Sequence, residues 1–225
     1  MKIELNKLRE VQKKIADKII VKDSVKPKDI KTVAGFDITY HNKKVVCAGV
    51  VFDFKTMEVL EKKYTVSEEK FPYIPNFLMF REGPPIMETY HELEANPDVL
   101  LIDGGGILHP LKSGIASYIG VSLDKPTVGV TKKLLLGEVL EGKIYVEKDT
   151  RDGKVKEVRG QRVETKVGSR PIFVSPGHKV SVATAVKIVN ECMRGNHKLP
   201  EPIRLAHRYA DKMREDVVLK EESSE

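Results

Sequence analysis

Residues 45–54 read VVCAGVVFDF, a run that is apolar on both faces and rich in β-branched residues. Such a strand has no solvent side, so it belongs in the middle of a sheet covered above and below. It is flanked by TVAGFDITY (32–40) and MEVLEKKYTV (57–66), joined to it by short polar connections. Three β-rich runs so spaced predict an antiparallel meander. DVLLID (98–103), a helix near 113–122 and PTVGV (126–130) follow, and strand, helix, strand implies parallel neighbours in the same sheet. The expected order is βββ-α-β-α-β: a mixed α/β sheet, three antiparallel strands and then parallel ones, flanked by helices.

Ahead of this core, Leu5, Leu8, Val11, Ile15 and Ile19 recur at helical spacing, predicting an amphipathic helix over 4–20, within an N-terminal segment 1–22, packed on the domain. A second helical stretch, 76–95, contains Gly83-Pro84-Pro85, which is expected to kink or divide it and to leave Glu82 at a break. Beyond Gly137 the runs KIYVEK, KVKEVRG and RVETK predict short strands of an edge extension, with Asp152-Gly153 turning between the first two. Helices are expected over 181–194, ending at Gly195, and over 201–215 after Pro200, with 216–225 a disordered tail. No repeat and no long linker interrupts the chain, so 1–225 reads as one domain.

Lys and Arg total 39 against 33 Asp and Glu, a formal charge of +6 that favours polyanionic partners. Cys47 and Cys192 stand far apart without Cys-x-x-Cys spacing, which argues against a disulfide framework or a zinc-thiolate site and fits a reducing cytoplasm. No run has the length of a signal peptide or membrane span, so the expectation is a soluble cytoplasmic protein.

The alternation in TVAGFDITY puts Val33, Gly35 and Asp37 on one face and Ala34, Phe36, Ile38 and Tyr40 on the other. Asp37 is therefore a carboxylate in mid-strand. Taken alone it suits a strand edge facing water; taken with Asp103 the balance shifts. Asp103 ends an apolar strand and is followed by Gly104, Gly105 and Gly106, a loop with little side chain to obstruct a ligand. Glu82 offers a third oxygen, or else an exposed partner for Arg81. Three converging carboxylates without cysteine would suit Mg²⁺, with Mn²⁺ as substitute, and the phosphoryl-transfer chemistry such ions serve. Lys132, after PTVGV, and His207, on the last helix, are candidate basic groups; His109, after the glycine loop, is a further candidate. In FPYIP, Pro72 and Pro75 bracket Tyr73 and Ile74 and stiffen an aromatic tip.

Together AGFDITY, FPYIPNFLMFREGP, DVLLIDGGGILHP, GIASYIGV, PTVGVTKKLL, PIFVSPGH and PEPIRLAHRYAD closely resemble endonuclease V, the repair nuclease acting at deaminated bases, from about Val33 to Asp211. The resemblance implies a ribonuclease H-like fold and Mg²⁺-dependent incision of the second phosphodiester bond 3′ to hypoxanthine. It makes Asp37, Glu82, Asp103, Lys132 and His207 the catalytic set, with Asp37 and Asp103 the direct metal ligands. Pro72, Tyr73, Ile74 and Pro75 become a DNA wedge, and Gly104, Gly105, Gly106 and His109 a lesion pocket. At Gly105 the family commonly has a polar residue, so contacts through that side chain fall away and backbone N–H groups are left to the lesion. The expected partner is DNA carrying deaminated bases, met by a monomer. Inosine-containing single-stranded RNA is the alternative substrate, and a non-catalytic module marking distorted duplexes the alternative function.

Overall fold

The computed structural model describes residues 4–166 and 168–222. Its centre is a nine-stranded sheet built from β1 (Thr32–His41), β2 (Lys44–Asp53), β3 (Val59–Glu68), β4 (Val99–Asp103), β5 (Thr127–Thr131), β6 (Glu138–Leu140), β7 (Lys143–Thr150), β8 (Gly153–Val163) and β9 (Ile172–His178). Across the sheet the order is β3-β2-β1-β4-β5-β9-β8-β7-β6. The predicted meander is present, β1 and β3 each running antiparallel to β2, and β4 and β5 continue the sheet in parallel from β1. The apolar run does lie between two partners, with residues 45–52 buried.

Five α-helices are described: α1 (Leu5–Ala16), α2 (Leu78–His91), α3 (Ile115–Leu123), α4 (Val182–Glu191) and α5 (Glu201–Glu222). Strand alternation sorts the core into two layers. Phe36, Ile102 and Cys47 pack with Met79 and Ile86 of α2 and Ile119 of α3. On the other face Val33, Val50, Leu101 and Val128 pack with Ile188 of α4 and Ile203 of α5. Each such fully buried side chain stabilises the fold by about 1.5–3 kcal/mol. Helix α5 lies so close to β1 that a Cβ at Gly35 would stand 2.2 Å from the carbonyl carbon of Pro202, which is why that strand position has no side chain. Asp37, two residues on, faces α5 for the same reason.

Several local expectations change. Helix α2 is not divided: Pro84 and Pro85 lie inside it, and Glu82 sits on its continuous surface rather than at a break. The ring of Tyr118 on α3 fills the space beside Gly83, and the hydroxyl of Thr89 donates to the Pro85 carbonyl at 3.0 Å, so packing and a local bond hold a helix that propensity alone would end. KVKEVRG and the start of RVETK form one strand, β8. The hairpin before it closes on the Thr150↔Gly153 pair, so its two loop residues are Arg151 and Asp152, and Gly153 supplies the positive φ of 120°. Helix α5 extends to Glu222 with Val217 and Val218 half-buried, so the tail expected from 216 is helical as far as the described residues go; 223–225 and 1–3 lie outside them. Helix α1 is shorter than predicted, and its apolar stripe is only partly covered, with Leu5 and Val11 exposed. Both cysteines are free and buried, and no described helix is long and apolar enough to cross a membrane.

Candidate active site

Strands β1 and β4 run in parallel with Phe36 opposite Ile102. One residue further along both strands come Asp37 and Asp103, so sheet register alone sets these carboxylates on neighbouring strands about 4.8 Å apart. Glu82 approaches from α2, Lys132 from the turn after β5 and His207 from α5. All five, with Phe36, Ile38, Leu78 and Ile86, line one cleft of about 330 Å³.

Within that cleft His207 Nδ1 lies 2.7 Å from Asp37 Oδ2, and its Nε2 lies 3.4 Å from Asp211 Oδ2, one helical turn on. Lys132 Nζ donates to Asp103 Oδ2 at 2.7 Å. Tyr40 donates its hydroxyl to Glu82 Oε1 at 3.3 Å, while the Arg81 guanidinium stacks 4.3 Å from the Tyr40 ring and pairs with Glu69 at 3.2 Å. Asp37 is only 9% exposed. Burial pushes its carboxyl up to about 6, with Asp103 adding repulsion and His207 and Lys132 opposing it. Glu82 is pushed up to about 7, again by burial first, against its bond from Tyr40 and with Asp37 and Asp103 adding repulsion.

Three mutually repelling carboxyls beside one lysine and one histidine make a site short of positive charge. The donor set is all oxygen at the carboxylates, and the thiol nearest to them, Cys47, is buried with its pKa driven upward by desolvation, so a hard divalent cation fits this chemistry better than a soft one. Among the described residues no three His, Cys, Asp or Glu side chains form a ready metal-binding group. Asp37 is turned to His207 and Asp103 to Lys132, each carboxylate already bonded to a side chain of the protein itself.

Beside the cleft, sharing Leu78 with it, lies a cavity of about 220 Å³. Tyr73, Ile74 and Pro75 form one lip; Gly105, His109 and Leu135 are among its other walls. Tyr73 is 66% exposed, so the stiff tip does carry its aromatic ring into solvent. Of the glycine triplet, Gly105 faces the cavity, while Gly104 packs against Ile115 and Gly106 against the Pro176 backbone. The N–H groups of Gly104 and Gly106 donate to Val130 O and Ser175 Oγ at 2.9 and 3.0 Å, so these two are committed within the chain rather than left to a ligand.

Sequence reasoning passed over Tyr40, Asp211 and Leu135. Tyr40 shares the strand face that α2 covers, and Asp211 is four residues beyond His207 on a helix, so alternation and helical spacing carried both signals. Leu135 had none, because its part in the cavity depends on how the turn after β5 folds back over Gly105, 3.2 Å from a Cβ placed there.

Sheet order and cleft together define a protein of the ribonuclease H-like α/β class with acidic groups at the ends of adjacent strands. The profile of the Endonuclease V family matches residues 13–208. Endonuclease V of Thermofilum pendens is 43% identical over 206 residues, covering 92% of this chain and 87% of that protein. The Dictyoglomus thermophilum protein of the same name is 41% identical over 208 residues, covering 90% and 87%. Among solved structures, Endonuclease V from Bacillus subtilis has a TM-score of 0.84 at 30% identity, covering 97% of this chain and 95% of that one. Endonuclease V of Ciona intestinalis, in complex with a 24mer DNA containing an inosine followed by a ribo-adenosine, has a TM-score of 0.82 at 30% identity, with coverage of 95% and 98%. The chain belongs to the Endonuclease V family, whose members are nucleases.

Proposed function

We propose that this chain is a Mg²⁺-dependent DNA repair endonuclease that recognises hypoxanthine and hydrolyses the second phosphodiester bond 3′ to it. The observation that carries this reading is the convergence of Asp37, Glu82, Asp103, Lys132 and His207 on one cleft, next to a cavity rimmed by an exposed aromatic tip. Asp37 and Asp103 would hold the cation, with Mn²⁺ able to replace Mg²⁺, and Glu82 would complete its shell or orient water. When bound, the ion supplies neutralisation of phosphate charge and a lower pKa for attacking water.

The chain's own groups do the rest. Lys132, which pairs with Asp103 at the edge of the cleft, would present a point charge to the phosphate. His207, held between Asp37 and Asp211, orients its imidazole and keeps a proton at the edge of the cleft. A water oxygen bonds to phosphorus, the P–O3′ bond breaks, and the departing 3′-oxygen takes a proton, leaving 3′-hydroxyl and 5′-phosphate ends. Tyr73, stiffened by Pro72 and Pro75, stands in the space vacated by the opened base, and stacking of about 1–3 kcal/mol is comparable to the opening cost of a poorly paired lesion. The lesion sits at the cavity and the chemistry in the cleft, so recognition and incision are displaced along the strand.

An RNA-directed reading is favoured by one observation, the ribo-adenosine that follows the inosine in the DNA of the Ciona complex. Labelled duplexes carrying one inosine, with deoxyribose or ribose at the next nucleotide, are incubated with Mg²⁺ or chelator and mapped at nucleotide resolution. The proposal expects one metal-dependent break, one nucleotide removed from the lesion's own 3′ bond, in the all-DNA substrate. Cutting confined to the ribose-containing strand transfers the function to RNA, and tight binding in chelator without product under Mg²⁺ leaves a binding module. Asp37→Ala and Asp103→Ala are each expected to lose about a hundred- to a thousandfold in rate, in line with removal of a principal electrostatic group.

A further inference from the structure

Gln12 inverts the pattern of its helix. On α1 the apolar Leu5 and Val11 are 37% and 40% exposed, while the polar Gln12 is 1% exposed. A buried amide is costly unless it is bonded. Gln12 Nε2 donates to the carbonyl of Asn76 at 2.6 Å. The same oxygen receives His109 Nε2 at 3.0 Å. Because a carbonyl only accepts, and because the Leu111 N–H donates to His109 Nδ1 at 3.2 Å, the ring is fixed as the neutral tautomer with its proton on Nε2. Burial lowers the pKa of His109, with nearby Arg159 acting in the same direction against the Asn76 bond, which maintains that tautomer near neutrality. Arg159 in turn holds the His109 carbonyl at 3.1 Å.

Asn76 is where the aromatic tip turns into α2. It has a left-handed φ of 66°, and the Phe77 N–H closes back on Ile74 at 3.0 Å. One atom at this turn is therefore gripped from α1 and from the segment after the glycine loop, three residues from Tyr73. Gln12 also precedes the stretch matched by the family profile, which begins at residue 13.

We infer that Gln12 is a positioning residue for the 71–76 tip: with His109 it clamps the Asn76 carbonyl and sets where Tyr73 stands before DNA arrives. The inference deepens the nuclease reading and rests on it for its kinetic consequence. A tip ordered in advance does not have to be ordered on binding, so the clamp acts on capture of a duplex that must be opened. It has little to add where the base is already unstacked in a single strand, and none to the phosphate chemistry.

The chain contains no tryptophan, so Tyr73→Trp gives a single fluorescent reporter at the tip. Gln12→Met keeps length and helix propensity while removing the donor. In the reporter background, Gln12→Met is expected to lower tryptophan anisotropy and raise its quenching by acrylamide. With Tyr73 intact, Gln12→Met is expected to raise KM for an inosine duplex about fivefold, the worth of one net hydrogen bond, with kcat unchanged and single-stranded cleavage unaffected. Unchanged anisotropy, or equal losses on duplex and single strand, would overturn the clamp. An inosine duplex left intact by the wild-type protein would defeat the nuclease reading, and the fluorescence comparison would still decide the clamp.

Discussion

Replacing Gly106 by alanine adds one methyl group at a point where the backbone has nowhere to put it. The added Cβ would stand 1.9 Å from the Pro176 carbonyl oxygen, 2.5 Å from its carbon and 2.9 Å from the Gly177 nitrogen. Ordinary contact begins at 3.4 Å, so loop and strand must part by about 1.5 Å. They are tied together by Gly106 N–H to Ser175 Oγ at 3.0 Å and Ile107 N–H to Pro176 O at 2.7 Å. Overpacking costs about 1–3 kcal/mol, and a buried bond lost with it about 1 kcal/mol more. A total near 3 kcal/mol lowers the melting temperature of a chain this size by roughly 6–12 °C. Gly105→Ala is the control: its Cβ meets the tip of the exposed Leu135 at 3.2 Å, which the side chain relieves by turning, and Leu108 O at 3.3 Å, which asks the backbone for only about 0.1 Å. Differential scanning calorimetry should separate the two variants clearly, while Gly105→Ala, which narrows the cavity, should weaken binding of inosine-containing duplex. Equal melting of both variants with wild type would refute the packing argument.

Tyr40→Phe removes the hydroxyl that donates to Glu82 and should lower cleavage severalfold in single-turnover assays while leaving the melting temperature within a few degrees, a lost half-buried bond being worth about 1 kcal/mol. Asp98 accepts from Lys31 N, Thr32 N and Thr32 Oγ1 through one oxygen, at 2.8, 2.9 and 3.2 Å, tying the start of β1 to β4. Asp98→Ala should destabilise by roughly 2 kcal/mol in urea titration, with little effect on the cleft. Burial depresses His178 below the usual imidazole value of 6.5, Lys179 adding to the effect and Asp124 opposing it. The unfolded chain therefore binds more protons than the folded one as pH falls below 6.5, so His178 subtracts stability there and none above. His178→Gln, keeping an acceptor for the Ile20 N–H, should flatten the loss of stability between neutral and mildly acidic pH.

The sheet was legible where side-chain alternation carried it. β1, β2 and the apolar β4 and β5 each wrote their burial into a few consecutive residues, and βββ-α-β-α-β followed from their order. β9 was not, because PIFVSPGH contains two prolines and a glycine that argue against a strand. The register slips between Thr127 and Val128 opposite them, and that irregularity admits Pro176 while Gly177 lets Thr127 approach. The prolines of α2 misled for a related reason: the helix is held through them by tertiary packing, Tyr118 of α3 closing on Gly83, which no local window contains. In the cleft, the types and strand positions of Asp37 and Asp103 were readable, whereas their turn toward His207 and Lys132 depends on contacts made only after the chain has folded. The cavity's walls came from three separated segments, 73–79, 105–115 and Leu135, and only the tip and the glycine loop announced themselves.

His207 meets Asp37 across 170 positions of sequence. Synthesis passes Asp37, Glu82 and Asp103 before it reaches His207, so a partly made chain carries the three carboxylates without the imidazole. Only when α5 settles over β1 and β2 does the assembly close. The cleft therefore stays open along its α5 side until that last helix has docked, and the 170-residue span makes Asp37 and His207 a late, long-range contact of folding.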